Sequence, residues 1–300
     1  MPVSHILLAL LVAIVWGINF LFVKLGLEEI PPLLLCTLRF TLASIPAIFF
    51  IKPPATSFKL VASYGLFMFA LQFSLMFLGM HAGMTPGMAS LLIQVQVFFS
   101  MFFAAIILKE QPNPWQIVGA LVSFMGIAVV AFHLDQHISL AGFILILASA
   151  ATWGFGNLMT KKAKNVNMMA LVVWGSFVAV FPMLILSLSF EGLHTIEESL
   201  SNLSWRGGSS LLYIVYISTW VGYGVWNWLV SRYPVGAVVP FTLLVPVVGI
   251  ISSILILGES FHLWKLVACL FVLGGLCINI LSVRVLAVRG RKLLQEECSG

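Results

Sequence analysis

The feature that most limits how this chain can fold is a succession of long apolar runs. Ten of them lie at about 5–25, 32–51, 60–80, 86–108, 114–132, 139–160, 168–189, 209–231, 235–257 and 263–283. A run of roughly 18 or more residues with few charges predicts a transmembrane helix. Helical geometry satisfies every backbone polar group where no water can. Only 8% of the residues are charged and 61% are hydrophobic, whereas a soluble domain carries about 25% charged residues. There is too little polar surface to cover such a chain in water. The connections are short, and the longest, 190–206, carries Glu191, Glu197 and Glu198. No length remains for a soluble catalytic domain. The first run has no Lys or Arg before it and is too long for a signal-peptide core, so it is expected to remain as a span.

The sequence therefore predicts an all-α integral membrane protein of ten transmembrane helices. With ten spans, both termini and the even-numbered connections share one side. Lys52, Lys59, Lys109, Lys161, Lys162, Lys164, Arg232, Arg284, Arg289, Arg291 and Lys292 fall there, against Lys24, Arg206 and Lys265 on the other. The positive-inside rule then puts both termini in the cytoplasm of a multi-pass protein of the inner membrane. The net charge of +5 is spent on this orientation, and no nucleic-acid partner is expected. Cys36, Cys269 and Cys277 lie within apolar runs, with no disulfide or metal-ligand spacing. The string His133-Leu134-Asp135-Gln136-His137 reads as a solvated turn. No metal or cofactor is expected.

The chain repeats itself. WGINFLFVK at 16–24 returns as WGFGNLMTK at 153–161, with Trp16-Gly17 on Trp153-Gly154 and Lys24 on Lys161. ILKEQPNPWQIVGALVSFMG at 107–126 returns as ILGESFHLWKLVACLFVLGG at 256–275, with Glu110 on Glu259. Pro86 and Ala89 fall on Pro234 and Ala237. The offsets of 137, 149 and 148 residues divide the chain into repeats at 1–134 and 135–285, with a basic-then-acidic cytoplasmic tail at 286–300. Five spans per half is an odd number, so the second half enters the membrane from the opposite side. Such a 5+5 inverted-topology repeat around a central cavity is a recurrent plan of secondary transporters.

These strings, with LRF at 38–40 and LLIQVQVFFS at 91–100, resemble the EamA domains of the drug/metabolite transporter superfamily over nearly the whole chain. Within that family the resemblance runs towards bacterial exporters of O-acetylserine and cysteine. It implies a basket of ten helices, with helices 1, 3, 4, 6, 8 and 9 lining a central cavity. It also implies export of small metabolites, amino acids or their derivatives, by alternating access. An exporter of other drugs or amphiphilic metabolites is the nearest alternative reading. A membrane-embedded enzyme or a protein without flux is the alternative of a different class. No paired carboxylates, HExxH string or Ser/His dyad at matched depth supports an enzyme.

Polar residues at membrane depth mark candidate sites, because they are costly against lipid. In the eighth run Tyr213, Tyr216, Trp220, Tyr223, Asn227 and Ser231 recur every three or four residues, which predicts one stripe on an α-helix. Amphipathic rings and an amide suit a small polar solute leaving water. Asn19, Gln72, Gln94 and Asn157 are the other candidate substrate contacts. Gln94 and Gln96 point about 200° apart on a helix, so one of them is expected to bond a neighbouring helix. Arg39 is the charge deepest within a span. It is read as a structural charge that snorkels or pairs with backbone carbonyls, or as the partner of a substrate carboxylate. Glu110 and Glu259 are expected to cap the helices that follow them. Pro240 and Pro246 offer a hinge or a static kink. No carboxylate falls inside a span, and His81 is the candidate for coupling to protons. The expected partners are a small-molecule substrate and the lipid bilayer, with the protein a monomer.

Overall fold

A computed structural model of the chain describes residues 1–134, 139–163, 166–233, 238–260 and 262–297, with the side chains of 227, 230, 231, 239, 240 and 283–297 excepted. Asp135, His137, Pro234, Ala237 and the side chain of Asn227 thus lie outside the described residues. The described chain is helical, with no β-strand. Its helices are α1 (Val3–Gly26), α2 (Pro32–Ile48), α3 (Phe58–His81), α4 (Pro86–Ile107), α5 (Pro114–Ala131), α6 (Leu140–Lys162), α7 (Met168–Phe190), α8 (Leu193–Ser201), α9 (205–232), α10 (Phe241–Leu257) and α11 (Leu263–Glu297).

Seven of these are long and apolar enough to cross a membrane: α1, α3, α4, α5, α6, α7 and the Leu263–Ser282 part of α11. The sequence predicts ten such spans. The difference lies in α2 and α10, which are shorter apolar helices, and in α9, whose side chains at 227, 230 and 231 lie outside the described residues. The last helix continues to Glu297, past the point where the sequence suggests a separate tail. α8 is a short surface helix.

Local chemistry starts the helices where the sequence changes character. Pro32, Pro86 and Pro114 stand in the first turns of α2, α4 and α5, where a missing N–H costs nothing. Asn113 accepts from Gln116 N, and the Gln116 side chain accepts from Asn113 N, forming a capping box for α5. Pro46 and Pro182 lie inside α2 and α7.

The helices meet along seams of small residues, as expected where lipid gives apolar surfaces no reason to associate. α5 lies along α11, α2 along α7, α1 along α10 and α9, and α6 along α3 and α4. A Cβ on Gly119 would sit 2.6 Å from the Gly275 carbonyl, and Ser123 Oγ donates to Val272 O at 3.0 Å. A Cβ on Gly17 would sit 2.5 Å from Val248 Cβ, and one on Gly154 2.7 Å from Phe99 Cβ. These glycines exist for close approach, not for turns.

Carboxylates hold the helix ends, though not as the sequence suggests. Glu110 and Glu259 do not cap the following helices. Glu110 pairs with Lys161 at 2.5 Å on an exposed surface. Glu259 is nearly buried, accepts from Thr85 Oγ1 and Lys265 Nζ, both at 2.6 Å, and also bonds Ser253 Oγ. The capping carboxylate is Glu191, which takes Leu33 N at 2.7 Å, Leu34 N at 2.9 Å and Ser187 Oγ at 2.7 Å, fastening the start of α2 to the end of α7. Glu29, between α1 and α2, takes Ser204 Oγ at 2.7 Å and Ser204 N at 2.9 Å. Those bonds hold its carboxyl below the usual range. A lowered folded pKa contributes stability above the unfolded pKa, and that contribution is lost as pH falls through the folded value. Acidification below about pH 4 is therefore expected to loosen the α9 start in wild type. Hydrogen exchange at Ser204 and Gly207 should rise there, and Glu29→Gln should remove the pH dependence.

Candidate functional site

The polar interior gathers where α1, α2, α3 and α9 converge. Arg39 stands mid-way along α2 and is 2% exposed. Its Nη2 donates to Thr219 Oγ1 at 3.2 Å. Its guanidinium lies 4.2 Å from the Phe73 ring centroid and 5.3 Å from that of Phe40. Nε and Nη1 have no hydrogen-bond partner. Arg39 thus neither snorkels nor pairs with backbone carbonyls, because aromatic rings and α9 close over it. Leaving a buried charge without a counter-ion costs several kcal/mol, and cation–π contact offsets about 2 kcal/mol of that.

The two helices facing Arg39 are irregular in the same way. α3 is π-helical over Gly65–Leu71 and α9 over Tyr213–Gly222. Both stretches begin 148 residues apart, the offset that aligns Pro86 with Pro234. A π-helical ladder leaves carbonyls open to side-chain donors and is enriched at functional sites. Thr219 Oγ1 takes this opportunity, donating to Ile214 O at 2.9 Å.

Trp16 closes the neighbouring space. Its Nε1 donates to Ser218 O at 3.1 Å, and its ring lies 5.3 Å from those of Tyr223 and Trp226. Tyr213 donates to Val15 O at 3.0 Å and stacks on Phe22 at 3.9 Å. Asn19, one turn beyond Trp16, is 6% exposed, and its Oδ1 has no partner.

The stripe predicted for the eighth run divides. Tyr223 turns inward to Trp16. Tyr216 and Trp220 stand on an exposed flank with Ile217 and Val221, while Trp220 Nε1 donates to Ala43 O at 3.2 Å. The i→i+5 ladder rotates successive residues differently from the α-helix that the sequence reading assumed. The glutamines tie helices together. Gln72 Nε2 donates to Ser149 Oγ at 3.4 Å, and Ser149 Oγ returns a bond to Gln72 O at 2.7 Å. Gln94 Nε2 donates to Thr242 O at 3.1 Å. Gln96 Oε1 accepts from Asn157 Nδ2 at 2.7 Å, so both residues of the Gln94/Gln96 pair bond other helices.

Asn157 also donates to Ser100 Oγ at 3.0 Å and lines a cleft of about 250 Å³ between α4 and α6. The Glu110–Lys161 pair lines the same cleft. His81 is exposed at the end of α3. His133 stacks on Trp264 at 4.5 Å. Among the described residues no group of His, Cys, Asp and Glu could hold a metal ion. Sequence reasoning missed Thr219 and Glu191. The polar pair Ser218-Thr219 inside an apolar run was the available signal for the first. Glu191 carried none, since the backbone groups it caps, at Leu33 and Leu34, lie far off in the chain.

The EamA-like transporter family matches this sequence twice, over residues 3–132 and 140–281. The chain belongs to the EamA-like transporter family. Being an EamA-like transporter, it is a multi-pass membrane protein that handles a small molecule within a lipid bilayer. A probable amino-acid metabolite efflux pump of Salmonella typhimurium is 40% identical over 284 residues, covering 93% of this chain and 95% of that one. A protein of the same description from Escherichia coli is 37% identical, covering 92% and 95%. A solved crystal structure, 18% identical, superposes with a TM-score of 0.61 over 95% of this chain and 99% of that one, and so shares the fold. This EamA-like transporter thus has relatives, matched over nearly their whole length, described as probable amino-acid metabolite efflux pumps.

Proposed function

We propose that this protein exports amino acids or small derivatives of them, of the cysteine and O-acetylserine kind, across the bacterial inner membrane by alternating access. The carrying observation is a pair of equivalent close contacts. The 137-residue offset takes Gly17 to Gly154, and the 149-residue offset takes Phe99 to Val248. Gly17 packs on Val248 and Gly154 on Phe99, so the α1–α10 seam and the α4–α6 seam exchange under the repeat. The double family match supports the same division, as does the pairing of α2 with α7 and of α5 with α11.

This reading has ten spans in two inverted halves, near 1–134 and 135–285, with both termini cytoplasmic. A solute enters from the cytoplasm by the cleft at Asn157 and meets Asn19 and Tyr223. It leaves when one half rocks against the other about the glycine seams. Of the sequence candidates, Asn19 and Tyr223 are the favoured contacts and Asn157 lines the entrance, since Gln72, Gln94 and Asn157 are engaged between helices.

With no carboxylate at depth, transport is expected to run as exchange or facilitated efflux, or with weak coupling through His81. Counterflow of labelled L-cysteine in liposomes should be seen without a proton gradient. Tight proton drive that survives His81→Ala would contradict the coupling part, and absence of counterflow across an amino-acid panel would contradict export.

A further inference from the structure

We propose that this carrier recognises its substrate by the carboxylate, through Arg39, and that the substrate's ammonium is dispensable. The inference rests on the export reading and deepens it. Arg39 is buried, holds one hydrogen bond to an uncharged hydroxyl, and keeps Nε and Nη1 without acceptors. The ionisable side chains near enough to act on it are Tyr223 and Cys36, neither of them a carboxylate. Glu191, at the outer end of α2, is already taken by Leu33, Leu34 and Ser187. Among the described residues no counter-ion faces Arg39, and the structure is built around a cation that a carboxylate would complete.

The groups that cover Arg39 lie in or next to the two π-helical stretches. Thr219, which shares the Nη2 edge, belongs to the π-helical part of α9, and Phe69, in ring contact with Phe40, belongs to that of α3. A one-residue shift back towards an α ladder would move Thr219 itself in α9 and, in α3, would turn Phe73, which follows the π-helical stretch and lies over the guanidinium. A carboxylate would then engage Nε or Nη1 together with the shared Nη2, a charge-assisted geometry that arginine favours over lysine. Tyr223, within electrostatic reach of Arg39 and in ring contact with Trp16, would carry the rest of the solute on its ring.

The opposite end of an amino acid has no comparable partner. The acidic side chains among the described residues sit at helix ends or on the surface: Glu28 with Arg206, Glu29 with Ser204, Glu110 with Lys161, Glu191 bonded to the start of α2, Glu197 and Glu198 on α8, and Glu259 with Lys265. None is placed to hold an α-ammonium near Arg39. Monocarboxylates with a blocked amine, such as N-acyl amino acids, therefore fit the site as well as zwitterions do, and amines without a carboxylate do not.

The test uses the full-length protein, purified and reconstituted, with three probes: L-cysteine, N-acetyl-L-cysteine and L-cysteine methyl ester, under reductant. Inhibition of L-cysteine counterflow and thermal stabilisation of the detergent-solubilised protein are both read. N-acetyl-L-cysteine should compete about as well as L-cysteine, and the methyl ester about 10- to 100-fold less well, as loss of one buried charged hydrogen-bonded pair predicts. Arg39→Gln should abolish the difference between the two derivatives, and Arg39→Lys should keep part of it. Removal of an uncompensated buried charge should leave the ligand-free melting temperature of Arg39→Gln at or above that of wild type. A merely structural arginine would lower the melting temperature and leave the order of the derivatives untouched. A methyl ester that matches N-acetyl-L-cysteine overturns the proposal while leaving export standing. Stabilisation by N-acetyl-L-cysteine without counterflow of any probe sinks export and leaves the Arg39 site. No stabilisation and no counterflow overturns both.

Discussion

Gly17→Leu and Gly154→Leu are each expected to reduce transport by about 100-fold while the protein still inserts and reaches the membrane. A leucine at 17 would drive its Cβ to 2.5 Å from Val248 Cβ and 2.8 Å from the Val245 carbonyl; at 154 it would meet Phe99 Cβ at 2.7 Å and Ser100 N at 2.8 Å. Contacts under 3 Å with backbone atoms cannot be relieved by a rotamer change, so α1 must separate from α10, or α6 from α4. Overpacking of this kind costs about 1–3 kcal/mol. A bias near 3 kcal/mol against one of two states shifts their ratio by about 100-fold. Insertion depends on hydropathy, which leucine increases, so membrane yield should hold. Alanine at either position should act in the same direction, more weakly. Counterflow in liposomes, with membrane yield measured alongside, checks this. Normal transport in both leucine variants would remove the seams from the mechanism.

Glu259→Ala is expected to destabilise the protein by about 3–5 kcal/mol, whereas Glu110→Ala should cost no more than about 1 kcal/mol. The two residues occupy equivalent places in the repeat, so composition alone gives them one role. Their surroundings differ. The Glu259–Lys265 pair has side-chain exposures of 11% and 7%, and Glu259 also bonds Thr85 and Ser253. Removing the carboxylate leaves Lys265 charged and buried with Ser260 O as its remaining acceptor. The Glu110–Lys161 pair is about half exposed on both sides, so water replaces the lost partner. Thermal unfolding in detergent distinguishes the two, and equal shifts would contradict the burial argument. A Glu259→Ala/Lys265→Met double variant should recover much of the loss, since the uncompensated charge goes with the carboxylate.

Much of the architecture was legible in the residues because a bilayer permits few solutions. Runs that must satisfy their own backbone become helices, and similar strings recur at offsets of 137, 148 and 149 residues. The Trp-Gly repeats could be read as contact points, since a small residue between bulky apolar ones has few other uses in a lipid-surrounded helix. The π-helical stretches of α3 and α9 could not be read, because their hydrogen-bond register is set by what presses on them from other helices. That register is why the predicted aromatic stripe divides into Tyr223 inside and Tyr216 and Trp220 on the flank. Glutamines could be seen to be polar at depth, but whether each faces a solute or ties two helices depends on neighbours some 50 to 150 positions away, such as Ser149, Thr242 and Asn157. Hydropathy thus determined that helices form, since that follows from local composition. Only the tertiary structure decided that Arg39 has no counter-ion among the described residues, that Glu259 is buried while its counterpart is not, and that Glu191 fastens α2, because the partners of a charge are fixed by packing between segments far apart in the chain.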